Sequence, residues 1–183
     1  MSAATPSLSP CSIRDAEPAD MAAIQAIYAH HVLHGSASFE EVPPDVTEMS
    51  QRHAAVVARG LPFLVVEWEQ RVVGYCYASL YRPRPAYRYA IEDSVYLHTD
   101  ARGRGLGTAL LTELIRRCER GPWRQMIAVV ADSGEPASMA LHQRLGFVQV
   151  GTLNAVGYKF GRWIDTAFLQ RPLNSGQHSA PEQ

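Results

Sequence analysis

A short stretch rich in glycine carries two arginines and has the clearest chemical character in the chain. It reads R-G-R-G-L-G, with Arg102 and Arg104 between Gly103, Gly105 and Gly107. Glycine adopts positive φ without strain and lets a ligand approach the backbone closely. A helical pattern starts at once, and a helix N-terminus offers unpaired N–H groups and the positive end of the helix dipole. The stretch therefore predicts a cradle for pyrophosphate, with a plain glycine turn as the alternative.

The spacing of these glycines separates the loop from two common nucleotide-binding loops. The Lys-Ser/Thr pair of a P-loop is absent, and G-x-G-x-G differs from the dinucleotide pattern G-x-G-x-x-G. The small anionic ligand is thus expected to be held by backbone N–H groups and the two arginines.

Strand and helix patterns alternate on both sides of this loop. Strands are predicted over 12–14, 63–68, 72–80, 87–98, 126–131, 147–153 and 163–169. Helices are predicted after Asp20 as N-cap, from Pro43-Pro44 to near Gly60, over 106–120, and from Pro136 to Leu145. This alternation predicts an α/β fold with a mixed sheet. We expect a flexible N-terminal tail over 1–11, a single domain over 12–173 and a flexible C-terminal tail over 174–183.

The bulk composition limits the classes of partner. The 183 residues are 46% apolar and 19% charged, with a formal net charge of −1, so no nucleic-acid partner is expected. No apolar run reaches the roughly 18 residues of a membrane span, and the first ten residues do not resemble a secretory signal. Three widely spaced cysteines argue against a disulfide framework. A cytoplasmic protein without membrane contact is expected.

The glycine-rich loop and its surroundings resemble the GNAT acetyltransferases. The resemblance is seen in Arg102-x-x-Gly105-x-Gly107 and, in the last helix, in the segment from Ala140 to Phe147 that ends in L-G-F. The resemblance extends from Ile13 to Leu169. It implies the acyl-CoA N-acyltransferase fold, with a mixed, mostly antiparallel central sheet, helices on both faces, and acetyl-CoA as the donor.

Three further stretches resemble a GNAT subgroup, the phosphinothricin and methionine sulfoximine acetyltransferases. They are R-P-R-P-A-Y-R at 82–88, I-E-D-S-V-Y at 91–96, and V-G-Y-K-F-G-R-W-I-D at 156–165. The resemblance implies direct transfer of acetyl to the α-amine of a glutamate-like amino acid. It also implies a homodimer with the substrate cleft near the subunit interface.

The resemblance assigns the contacts to acetyl-CoA. Backbone amides of Val95 and Leu97 are expected at the acetyl carbonyl and the pantetheine arm, with ordinary sheet pairing as the alternative. The full set is Val95, Tyr96, Leu97, Arg102, Gly103, Arg104, Gly105, Leu106, Gly107, Thr108, Glu135 and Ser138. Glu135 departs from the subgroup, where asparagine is usual, and a carboxylate cannot donate the expected hydrogen bond.

Two titratable residues are expected to move protons. An amine attacks a thioester only when neutral, and Glu92 is the candidate base, either with a pKa raised by burial or through a water relay. The alternative for Glu92 is a surface position or a salt bridge to Arg84 or Arg88. His142 stands where many GNAT enzymes carry a tyrosine that protonates the leaving thiolate. It is expected to donate that proton or to orient the substrate, unless it is simply satisfied by a backbone carbonyl.

The substrate side of the site is expected to be rich in cationic residues. Arg82 and Arg84 are candidates for bidentate pairing with a carboxylate or oxyanion, with solvated loop arginines as the alternative. The substrate-binding residues that the resemblance implies are Arg82, Pro83, Arg84, Ile91, Glu92, Asp93 and Lys159. Asn154 replaces an arginine common in the subgroup, which leaves the identity of the amine open.

Other patterns do not support further chemistry. His30 and His34 are an i, i+4 pair on a helix, but without a third ligand or an H-E-x-x-H motif no metal is expected. Two function hypotheses remain beside the small-amine enzyme. One is acetylation of protein N-termini, and the other is a non-catalytic acyl-CoA sensor.

Overall fold

Seven strands form one sheet in the order β1-β2-β3-β4-β5-β7-β6 in the computed structural model, which describes residues 11–132 and 136–181. The strands are β1 (Cys11–Asp15), β2 (Phe63–Trp68), β3 (Arg71–Leu80), β4 (Ala90–Leu97), β5 (Gln125–Asp132), β6 (Val148–Lys159) and β7 (Arg162–Pro172). The helices are α1 (Met21–His34), α2 (Val46–Val57), α3 (Leu106–Cys118) and α4 (Ala137–Arg144). Within these ranges no helix is both long and apolar enough to cross a bilayer.

Side-chain alternation along the central strands produces two hydrophobic cores, one on each face of the sheet. Phe63 and Val65 of β2 pack with α1 and α2, whereas Leu64 and Val66 between them pack under α3. Successive side chains of a strand point to opposite faces, so a continuous apolar run is typical of a strand buried on both sides. Leu141 of α4 packs against the same core as α3. The helices therefore cover both faces.

The β4 and β5 strands diverge after a short parallel ladder. Every other neighbouring pair in the sheet is antiparallel. The parallel pairing runs from Ala90 with Gln125 to Asp93 with Ala128 and ends there, although β4 continues to Leu97. On the other side, β4 stays paired with β3 as far as Leu97. The divergence leaves a wedge-shaped gap, which we call the β4–β5 gap, along the second half of β4.

The architecture confirms the expected fold, but several strand ends differ by one to six residues from those predicted, and two of these differences have a clear structural cause. The strand expected from Tyr87 begins at Ala90, because Pro85–Tyr87 forms a 3-10 turn. The strand expected to end at Leu153 continues to Lys159 and forms a long hairpin with β7. Its register shifts between Leu153 and Gly157, an irregularity that interrupts the period-two pattern on which a sequence prediction depends.

Two local details also differ from the sequence-based picture. Asp20 precedes α1, but its carboxylate accepts a hydrogen bond from the Glu17 N–H (2.7 Å) and pairs with Arg14 (2.7 Å). It therefore closes the preceding turn and does not cap α1 with its side chain. Near the C-terminus, Gly176–His178 forms a 3-10 turn, and the Arg124 guanidinium donates to the Ala180 carbonyl (2.9 Å). Residues 174–181 thus have more structure than the expected tail.

The packing of α3 predicts the cost of a cavity. Leu111 is fully buried beneath the sheet, so Leu111→Ala should lower the free energy of unfolding by about 2–5 kcal/mol. The adjacent Thr112 is exposed on the same helix, so Thr112→Ala should change the free energy of unfolding by less than about 0.5 kcal/mol. Urea denaturation of both variants measures the difference. Equal stabilities would show that α3 does not pack as described.

Candidate active site

The glycine-rich loop connects the end of β4 to the start of α3. A 3-10 turn, Thr99–Ala101, follows β4, and the His98 ring accepts a hydrogen bond from the Asp100 N–H (3.2 Å). Gly103 and Gly105 then adopt positive φ values of 73° and 77°. A side chain at either position would strain the backbone, which explains the glycines in physical terms.

The N-terminus of α3 is open for an anion. Gly105 is its N-cap and has no side chain to satisfy the first turn, whose internal hydrogen bonds start with Ala109 N–H to Gly105 O (3.0 Å). The N–H groups of Leu106, Gly107 and Thr108 therefore point outward at the positive end of the helix dipole. A Cβ added to Gly105 would meet no protein atom within 4 Å, so the space beside it is free.

The two arginines of the loop differ in their surroundings. The Arg104 guanidinium lies 4.0 Å from the centre of the Trp68 ring, and its Nε donates to the Asp100 carbonyl (3.3 Å). Arg102 is exposed on the loop. Both precede the N-terminus of α3 by only a few residues in the chain, and their positive charge attracts phosphate groups.

The β4–β5 gap exposes backbone groups of β4. The His98 N–H donates to the Val73 carbonyl, and the Ala90 carbonyl accepts from Tyr81, so even-numbered residues of β4 direct their backbone groups to β3. Odd-numbered residues direct theirs to the β5 side, because these directions alternate along a strand. Past the end of the parallel ladder, the N–H groups of Val95 and Leu97 therefore face the gap.

Neighbouring carboxylates of β4 lie on opposite faces of the sheet. Ile91, like Asp93, points to the α3 side, whereas Tyr96, like Glu92, points to the side of α1 and α2. Glu92 is half-buried. Burial raises the pKa of Glu92, the negative charge of Asp93 adds to this effect, and the Arg82 guanidinium opposes it. A carboxylate with a raised pKa is better matched to proton transfer near neutral pH.

Asp93 makes a buried contact with α4. The His142 ring lies with Nε2 2.9 Å from Asp93 Oδ2 and Nδ1 2.7 Å from the Ser138 carbonyl. Only 5% of the His142 side chain and 1% of the Asp93 side chain are exposed. Burial opposes protonation, but the hydrogen bond and charge of Asp93 outweigh it and raise the pKa of His142. Both ring nitrogens are thus engaged by the protein.

The family model described as "Acetyltransferase (GNAT) domain" matches residues 13–168. The chain belongs to the GNAT acetyltransferase family. A phosphinothricin N-acetyltransferase from Alcaligenes faecalis is 59% identical over 172 residues, which cover 94% of this chain and 87% of that protein. An L-methionine sulfoximine/L-methionine sulfone acetyltransferase from Pseudomonas paraeruginosa is 40% identical over 171 residues, which cover 93% of this chain and 98% of that protein.

A solved GNAT structure shows the same fold with its donor. It is the crystal structure of a phosphinothricin acetyltransferase from Sinorhizobium meliloti in complex with AcCoA, at a TM-score of 0.92 and 47% identity, covering 94% of each chain. Acetyl-CoA is the donor of this GNAT enzyme, and the described residues fit it. The open N-terminus of α3 suits the pyrophosphate, and the β4–β5 gap suits an extended arm with amide groups.

The acceptor side of this GNAT site brings together only some of the predicted residues. Arg82 lies near enough to Glu92 to affect its pKa, and its guanidinium rests 5.0 Å from the centre of the Tyr81 ring. Pro83 and Arg84 are exposed on the same segment. Ile91 is fully buried in the α3 core, which places it behind the site and not at its surface. Glu135, predicted to contact acetyl-CoA, lies outside the described residues.

Lys159 has a different environment from the one expected for a substrate ligand. Its ammonium donates to the carbonyls of Gly35 (3.0 Å) and Ser38 (2.6 Å), in the loop between α1 and α2. Burial lowers the pKa of Lys159, and the nearby Glu41 and Glu40 partly offset this. Phe39 in the same loop packs on Gly157, where a Cβ would overlap its ring. Lys159 therefore ties this loop to the β6–β7 hairpin.

Sequence reasoning missed two contacts of the site. Asp93, expected among the substrate-binding residues, pairs with His142. An acid between the apolar residues Ile91 and Val95 indicates that it needs a partner. The other is His31, whose Nε2–H donates to the Leu97 carbonyl (2.9 Å) at the end of β4. Only its place on the buried face of α1 hinted at a structural role.

The geometry of the cradle predicts the effect of a side chain at Gly105. Gly105→Ala should weaken acetyl-CoA binding by about tenfold or more, because the Cβ occupies the space where backbone meets phosphate. Gly60 is a matched control, since it has a φ of 70° and also has no atom within 4 Å of an added Cβ. Gly60→Ala carries a similar folding cost and should leave the affinity unchanged. Calorimetric titration with acetyl-CoA compares them, and equal affinities would refute the cradle.

Proposed function

We propose that this enzyme acetylates the α-amine of a small, glutamate-like amino acid of the phosphinothricin or methionine sulfoximine type. The observation that carries the proposal is the placement of Glu92. This half-buried carboxylate faces away from the α3 cradle, at the apex of the β4–β5 gap, with the exposed Arg82 nearby. The names of the two relatives described above supply the substrate class.

The residues of β4 divide the chemistry between them. Acetyl-CoA supplies an activated thioester carbonyl. Glu92 takes up the proton that the substrate ammonium loses, directly or through water, so that the neutral amine can attack. The Val95 N–H, directed into the gap, donates to the carbonyl oxygen and stabilises the negative charge that it gains. A carbon–nitrogen bond forms, the carbon–sulfur bond breaks, and the thiolate of CoA takes up the proton that the nitrogen loses as it becomes an amide.

Arginines suit the other end of such a substrate. Arg82 is exposed and carries a permanent charge, so it can pair with a carboxylate or phosphinate of an amino acid whose amine lies at Glu92. Arg84 two residues further on is also exposed and offers a second guanidinium. The first residue of a peptide has no free α-carboxylate beside its amine, which favours the free amino acid.

The proposal is tested by thiol release from acetyl-CoA. A panel of L-methionine sulfoximine, phosphinothricin, common amino acids and N-terminal peptides should release thiol with the first two and far less with the others. Release with peptides alone would replace the proposal with protein N-terminal acetylation. Binding of acetyl-CoA without release from any amine would favour an acyl-CoA sensor.

The role of Glu92 predicts a specific kinetic change. Glu92→Gln should lower kcat by about 10²–10⁴-fold and leave the affinity for acetyl-CoA unchanged. Because the pKa of Glu92 is raised, wild-type kcat should rise with pH as this carboxylate ionises, and the variant should lack that rise. Glu119→Gln removes a carboxylate that pairs with Arg171 beyond the far end of α3 and serves as control. A variant with wild-type kcat at neutral pH would exclude Glu92 as the base.

The proposed enzyme is a cytoplasmic homodimer. The apolar side chains of the outer hairpin support the dimer, because β6 ends the sheet and exposes Val150, Leu153, Val156 and Tyr158, with Trp163 beside them on β7. Exposed apolar side chains grouped on one hairpin, of which Tyr158 and Trp163 are in ring contact, are typical of an interaction site. The cytoplasmic location rests on the free thiols, which suit a reducing compartment.

The outer hairpin predicts the oligomeric state. Trp163→Arg places a charge in the apolar surface, at a residue that is 65% exposed, and should convert the dimer to a monomer in sedimentation velocity. Val57→Arg, at the end of α2, is the control and should leave the dimer intact. If the Trp163→Arg variant remains a dimer, the subunit interface lies on another surface.

A further inference from the structure

The contacts of His142 determine how many protons its ring carries. A backbone carbonyl only accepts hydrogen bonds, so Nδ1 must donate its proton to Ser138. Nε2 faces the Asp93 carboxylate at 2.9 Å, and an ionised carboxylate also only accepts. A neutral imidazole has one N–H and meets both contacts only if Asp93 is protonated and donates to Nε2. An imidazolium beside an ionised Asp93 meets both contacts with two protons on the ring, and the hydrogen bond and charge of Asp93 favour this form because they raise the pKa of His142.

Neither proton points at the β4–β5 gap. Nε2–H is directed at Asp93, and Nδ1–H is directed back along α4 to the residue one turn earlier. The other carboxylate oxygen, Asp93 Oδ1, is buried and has no hydrogen-bond partner among the described residues, so His142 is the group that balances this charge. A buried carboxylate without such a partner is strongly unfavourable.

The place of the pair in the fold links three parts of the site. Asp93 is the last residue of β4 that pairs with β5, so it marks the apex of the gap. His142 lies on α4, where the adjacent Leu141 approaches the first turn of α3 to within 3.5 Å of a Cβ built on Gly107. The ion pair thus sets the position of α4 against both the apex and the phosphate cradle.

We infer that Asp93 and His142 are positioning residues, whose buried ion pair holds α4 against the apex of the β4–β5 gap, and that His142 does not protonate the leaving thiolate. The inference rests on the proposed function for its reaction, but the contacts that carry it are independent of the amine. The loss of the pair displaces one wall of the acetyl-CoA site and weakens binding of the donor.

Among residues 11–132 and 136–181, no second charged group is found beside the pair that would replace either partner. The titratable neighbours of Asp93 are Glu92 on the opposite face and the thiols of Cys76 and Cys118 on β3 and α3. Burial raises the pKa of Cys118 to about 12 and raises that of Cys76 as well, so both thiols stay neutral. The His142 imidazolium is the cation on which the Asp93 carboxylate depends.

Conservative and disruptive variants of the pair separate positioning from acid catalysis. Asp93→Asn and His142→Gln each retain a hydrogen bond across the pair, and kcat should fall by no more than about fivefold. Asp93→Ala and His142→Ala remove it, and the KM and Kd for acetyl-CoA should rise by about tenfold or more. Thermal unfolding establishes whether each variant is folded. If the alanine variants do not fold, the two conservative variants alone distinguish positioning from acid catalysis.

Two results would overturn the inference. An acid role for His142 predicts that His142→Gln loses kcat by about 10²-fold or more, with unchanged affinity for acetyl-CoA and an altered alkaline limb of the pH profile. Unchanged affinity in all four variants would show that the pair positions nothing.

The charge state of the ring provides a readout that does not depend on turnover. Nitrogen-15 NMR of His142 should show both ring nitrogens protonated at pH 7 in the wild-type protein and one unprotonated nitrogen in Asp93→Asn. One unprotonated nitrogen in the wild type would contradict the imidazolium. Because NMR and acetyl-CoA binding require no amine, a failure of the proposed substrate class would be seen separately, in the thiol-release panel.

Discussion

The divergence of β4 from β5 is the constraint on which the rest of the site depends. The parallel ladder ends at Asp93, and the N–H groups of Val95 and Leu97 are thereby freed for a ligand. Backbone polar groups in a buried strand normally pair with a neighbouring strand, so a gap of this kind needs other partners. His31 holds the Leu97 carbonyl at its far end, and α3 begins directly after it. The candidate base, the gap and the cradle thus follow one another along β4 and the loop after it.

The sequence predicted the elements and the backbone geometry of the glycine-rich loop well because their signals are local. Gly103 and Gly105 have positive φ, as a glycine-rich turn before a helix implies, and the continuous apolar run 63–66 is typical of a strand buried on both faces. The failures concern contacts between distant segments. Nothing near Asp93 in the sequence reveals a partner 49 residues away, and nothing near Lys159 reveals carbonyls more than 120 residues earlier. Such pairings depend on topology, which local patterns do not encode.

The loop between α1 and α2 shows how a connection without regular structure is held in place. The Tyr28 hydroxyl lies 2.8 Å from Ser38 Oγ and donates to Glu40 (2.9 Å), whose carboxylate also accepts from Arg52 (2.6 Å). Lys159 adds two hydrogen bonds to carbonyls of the same loop. A network in which each member satisfies another is rigid. The loop thus forms a fixed wall beside the acceptor side of the sheet, with Phe39 seated on Gly157.

The alternating faces of β4 constrain the kinds of genetic change that the strand tolerates. Glu92 serves the side of α1 and α2, and Asp93 serves the side of α3 and α4. A substitution of either carboxylate alters only one face of the sheet. A single-codon insertion or deletion between Ala90 and Glu92 would reverse the parity of the residues after it and exchange the faces of the two carboxylates or move one of them off its site. During evolution β4 is therefore expected to change by amino-acid substitution, whereas insertions and deletions are expected in the flanking segment 81–89.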